Sequence, residues 1–163
     1  MKNSFIRFLT LAAILAIAVI AVSCGSGSDQ DTKPTGDVII PIEFQNAKSV
    51  GSINIRFSYD STMLQLNNVV PGKLAENAML EYNATTPGLI AIGIIDSNGI
   101  TGNGSVARIG FNAIGTTGTC PLKLELIETH NANTLVEIYN EPSDGSYNAK
   151  NLAINAPTVN FTD

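Results

Sequence analysis

The side chains able to do chemistry are few and scattered. The 163 residues hold one His, two Cys, no Trp and fourteen carboxylates. His130 lies in Glu128-Thr129-His130-Asn131, a polar run that predicts a loop, and no Gly-x-Ser-x-Gly elbow offers it a serine to activate. Fourteen carboxylates are enough for the acid and base of a glycoside hydrolase. Most of them, however, fall singly on outward strand positions, where solvated charge is the ordinary reading. Asp96-Ser97-Asn98-Gly99 opens like a calcium loop, but the twelfth position is Ala107, where a bidentate Glu is required, so a turn is expected. One His and two Cys are too few for a structural zinc cluster or a disulfide framework. Neither a catalytic residue nor a metal or cofactor is expected.

Cys24 is the residue whose setting specifies a modification. Lys2 and Arg7 give a basic start, and residues 8–22 are apolar apart from Thr10. Small residues then close the segment, which is the form of a secretory signal peptide over residues 1–23. The apolar core is shorter than the ~20 residues a permanent span needs. Ala21-Val22-Ser23-Cys24 resembles the bacterial lipobox, which implies a lipid on Cys24 and a protein anchored to the cell-envelope membrane, exposed outside the cytoplasm. Residues 24–36 are polar and rich in Gly and Ser, the composition of a flexible tether. Without the leader, seven basic residues face fourteen acidic ones, a net charge of −7 that excludes a nucleic-acid partner.

Residues 37–163 must supply the framework, and their dominant period is two. Val38, Ile40, Ile42 and Phe44 share one face, with Pro41 opposite them and suited to an edge. Ile53, Ile55, Phe57 and Tyr59 alternate with Ser52, Asn54, Arg56 and Ser58. Leu89–Ile95 reads as a central strand between the turns Pro87-Gly88 and Asp96–Gly99. Ala107, Ile109, Phe111 and Ala113 form another inward row, and Cys120, Leu122, Leu124 and Leu126 a further one, with Cys120 a buried small hydrophobe. Val136–Tyr139 and Ala156–Phe161 complete the strands, and Lys73–Leu80 is expected to form one short helical turn. Strands spaced about ten residues apart, with Gly, Asn and Pro between them, predict an all-β sandwich.

Four stretches, taken in order, resemble the cohesin family. They are Ile40-Pro41-Ile42-Glu43-Phe44; the run from Ile53 to Tyr59-Asp60 with Met63-Leu64-Gln65-Leu66 and Val69-Val70-Pro71-Gly72; Pro87-Gly88-Leu89-Ile90-Ala91-Ile92; and Gly102-Asn103-Gly104 leading to Ile109-Gly110-Phe111. Ser61 stands where the family usually has Pro. The resemblance implies a jelly-roll β-sandwich of about nine strands, shared with some carbohydrate-binding modules. It also implies a non-catalytic module whose partner is a dockerin, a small calcium-binding helical domain of another protein. Carried over by position, the partner-binding face comprises Ser52, Asn54, Arg56, Ala91, Gly93, Ile95, Asp96 and Ser97, with Ile95 where an acidic residue is common. Polysaccharide catabolism would then be the wider process.

Two alternatives stay open at this stage. One is direct carbohydrate binding, for which Tyr82, Tyr139 and Tyr147 are the tyrosines not committed inward. The other is a structural envelope protein that uses the sandwich as a scaffold.

Overall fold

The structure is a computed structural model and describes residues 33–162. The expected signal peptide, Cys24 and most of the tether lie outside the described residues. Nine strands form: β1 (Val38–Tyr59), β2 (Leu64–Pro71), β3 (Met79–Asn83), β4 (Leu89–Ala113), β5 (Thr119–Asn131), β6 (Asn140–Ser143), β7 (Gly145–Asn148), β8 (Ala153–Asn155) and β9 (Thr158–Phe161). A 3-10 turn at Lys73–Ala75 follows β2. It is shorter than the helical turn expected over Lys73–Leu80, because Met79 and Leu80 are drawn into β3 by pairing with Ile95 and Ile94 of β4.

β1 and β4 organise the molecule. They are 22 and 25 residues long and run antiparallel, and each takes part in both layers of the sandwich. One layer uses the first half of β1 and the second half of β4, flanked by β2 on one side and by β9 and β6 on the other. The other uses the remaining halves, flanked by β3 on one side and by β5, β7 and β8 on the other. We call these the back and front layers. Between the halves the register shifts repeatedly from Ile42 to Ser52, and Asn46 and Ser49 adopt positive φ of 61° and 52°. Such bulges bend a paired ribbon, and here they fold one continuous sheet over itself. They also replace the expected turn at Asp96–Gly99. The backbone stays within β4, while Asp96 Oδ1 accepts the Asn98 amide at 2.8 Å.

The inward rows read from the sequence meet in one core. Ile40, Ile42, Phe44, Ile53, Phe57, Ile90, Ile94, Ile109 and Phe111 are all buried within a single cluster. Tyr59 of the front layer packs edge-on to Phe111 of the back layer, ring centroids 4.8 Å apart. Phe44 meets Phe161 at 4.9 Å. Contacts of this kind add about 0.5–1.5 kcal/mol beyond burial. Pro41 pairs with Arg108 on the β4 side, and the β9 ladder on its other side begins only at Glu43. A residue without an amide donor is accommodated there.

Two expected strands are corrected. Val136–Tyr139 makes a single bridge, Glu137 with His130, and leaves Val136 and Tyr139 exposed; the strand proper is the next four residues, β6. β9 begins at Thr158 rather than Ala156. The inward row of β5 also ends early. Phe57 pairs with Leu124 but Arg56 with Leu126, so a bulge at Glu125 turns Leu126 outward, where it is 42% exposed.

Candidate functional site

The outer surface of the front layer is a regular grid set by register. Met79, Ile95, Ser52 and His130 form one row across β3, β4, β1 and β5. Glu81, Gly93, Asn54 and Glu128 form the next, and Asn83, Ala91, Arg56 and Leu126 the third. Six of the eight face residues expected from the sequence are therefore brought together: Ser52, Asn54, Arg56, Ala91, Gly93 and Ile95. Asp96 and Ser97 sit at the rim. There they line, with Ile95, Ala132 and Leu135, a hollow of about 190 Å³.

Gly93 shapes the centre. A Cβ built on it would meet nothing nearer than Asn54 Oδ1 at 4.0 Å, so the middle row is a trough. Two shallow depressions, of about 340 and 260 Å³, share Asn54, Glu81 and Gly93 as lining. The trough is polar, with the Asn54 amide and two carboxylates, while exposed Met79 and Ile95 flank one side and Leu126 the other. A flat sheet face of mixed apolar and polar character fits a protein surface and lacks the deep enclosure typical of a small-molecule site.

Sequence reasoning missed the outer two columns. Met79, Glu81 and Asn83 belong to a five-residue edge strand with one buried side chain, Leu80, too short for its alternation to show. On β5, Leu126 is exposed by the bulge. His130 occupies a strand position rather than the expected loop, and its Nδ1 lies 3.4 Å from Ser52 Oγ. Among the described residues, no group of three or more His, Cys, Asp or Glu side chains is placed to hold a metal ion.

The tyrosines considered for sugar stacking do not form a platform. Tyr147 is fully buried, because its strand β7 pairs with β5 and sets it against Cys120; its hydroxyl has no hydrogen-bond partner among the described residues. Tyr82 on β3 and Tyr139 beyond β5 are exposed but stand at opposite sides of the front layer. Cys120 is buried as expected. Its Sγ accepts the Asp60 amide at 3.3 Å, and burial pushes its thiol up from the usual range.

Comparison with known proteins agrees with this architecture. Residues 27–149 match the model of the cohesin domain family. The fold is similar to a non-cellulosomal cohesin from the archaeon Archaeoglobus fulgidus, at 25% identity and a TM-score of 0.55 over 80% of this chain and 83% of that one. It is also similar to the sixth cohesin of Acetivibrio cellulolyticus scaffoldin B, solved with a dockerin, at 13% identity and 0.56 over 82% and 95%. The OlpA cohesin of Clostridium thermocellum, likewise solved with a dockerin, gives 16% and 0.55 over 81% and 93%. The comparison with curated proteins found no match. With three quarters of its length matched by the family model, and with the sandwich that model implies, this chain belongs to the cohesin family.

Proposed function

We propose that this cohesin domain recruits a dockerin-type protein on the outer face of its front layer while a lipid on Cys24 holds it to the cell-envelope membrane, outside the cytoplasm. The observation that carries the reading is the grid itself: four strands present twelve outward positions, with an open polar trough at Gly93 and apolar side chains on both flanks. Related cohesins solved with dockerins support the choice of partner. The domain acts by binding and positioning. Chemistry belongs to whatever enzyme the dockerin carries, and polysaccharide breakdown is the process this arrangement would serve.

The test uses dockerin modules encoded in the same genome. Saturable binding to at least one is expected, and a variant carrying Asn54→Arg with Gly93→Arg should abolish it without lowering the thermal midpoint. Both sites are open outward positions, so the added bulk stays out of the core. No binding to any dockerin, or undiminished binding by the double variant, would refute the reading.

A further inference from the structure

The back layer carries a feature that the recruiting face does not use. Residues 33–36, assigned by composition to the flexible tether, lie against the outer surface of β2 and β4. The Thr35 amide donates to Asn68 Oδ1 at 2.9 Å, and the Thr35 hydroxyl to the same oxygen at 3.2 Å. Asn68 Nδ2 donates in turn to the Lys33 carbonyl at 3.1 Å, and Asn67 Nδ2 to the Thr35 carbonyl at 3.3 Å. Asn68 is only 9% exposed, an unusual position for an amide unless its bonds are made.

The surface beneath is cut to fit. Gly110 pairs with Asn68, and a Cβ on Gly110 would stand 2.1 Å from the Thr35 carbonyl oxygen. Gly36 has φ +116°, and a Cβ there would stand 2.2 Å from the Phe111 carbonyl oxygen. Two glycines and a buried amide thus form a slot that accepts backbone and nothing larger. Val70, the next outward position of β2, is fully buried although it lies apart from the core cluster.

Alternation fixes where this slot lies. Ile109 and Phe111 point into the core, so Gly110 between them faces outward on the back layer. Asn54 and Gly93 face outward on the front layer, on the opposite side of the molecule. Cys24 and Lys33 are nine Cα steps apart, which limits the free reach to about 30 Å. We infer that residues 33–36 are an orienting strap: they fix the point from which the lipid anchor leaves, on the back of the sandwich, so that the recruiting face points away from the lipid surface. This rests on the proposed acylation of Cys24.

The experiment uses the full chain, expressed with its own leader, purified and added to preformed phosphatidylcholine vesicles carrying an energy acceptor on the headgroup. Flotation with the vesicles, lost in Cys24→Ala, reports the anchor by itself. A donor dye is placed on the back through Gln65→Cys or on the front through Glu128→Cys; buried Cys120 stays unlabelled. In floated protein, transfer should be higher from position 65 than from position 128. Gly110→Ala, which ejects the strap, should abolish that difference. Hydrogen exchange gives a second reading that needs no membrane, since protection of the Thr35 amide should be lost in Asn68→Ala. Equal transfer from both positions in floated wild-type protein, a difference that survives Gly110→Ala, or an unprotected Thr35 amide would each overturn the strap.

Discussion

Gly93 and Gly110 lie on the same strand, both face outward, and both leave space where a side chain would stand. Their surroundings are opposite. Over Gly93 there is only the side-chain Oδ1 of Asn54, 4.0 Å from an added Cβ; over Gly110 the chain's own backbone lies 2.1 Å from one. One glycine keeps a surface open and the other lets a surface be closed. The front of the sandwich is therefore open at its centre, while the back is covered at Gly110 by the molecule itself.

The largest effect tests whether the two sides are one body. Phe111→Ala removes a fully buried ring of the back layer that packs on Tyr59 of the front, and should cost about 3–5 kcal/mol in a single cooperative denaturant transition. Two transitions would show that the layers melt separately, and front could then be altered without back. The next test separates the glycines. Gly110→Ala should destabilise by about 1–3 kcal/mol as the strap is forced off. Gly93→Ala should stabilise by about 0.5–1 kcal/mol through restricted unfolded backbone. Equal shifts for the two would erase the distinction. The smallest effect lies inside the front layer: Tyr147→Phe removes a buried hydroxyl that has no partner among the described residues and should raise stability by about 1 kcal/mol, read from the thermal midpoint.

The sequence made the central columns of the face legible and hid the outer ones. Ser52 to Tyr59 alternates without interruption, so the pattern alone turns Asn54 and Arg56 outward. β5 alternates just as cleanly through Leu126, yet the bulge at Glu125 reverses its sense, and no local composition marks that bulge. Tyr147 sits among Gly, Ser and Asn and reads as a loop residue; only its pairing with Cys120 buries it. The strap was invisible for a related reason. Lys33-Pro34-Thr35-Gly36 has no alternating apolar row to announce packing, and what holds it is backbone meeting a buried amide 33 residues from Thr35. Period-two patterning reports which way a side chain points. It is silent where strands slip, and where the main chain itself is the cargo.

β1 has a mechanical consequence. It begins beside residues 33–36 on the back layer and continues unbroken to Tyr59, crossing to the middle of the front face proposed for recruitment. A pull between the N-terminus and a captured partner would travel along this covalent backbone and load its ladders with β4, β5 and β9 lengthwise. Bonds strained in shear must fail many at once, whereas bonds at a peeled edge part singly. The strand that shapes the fold is thus also its load path.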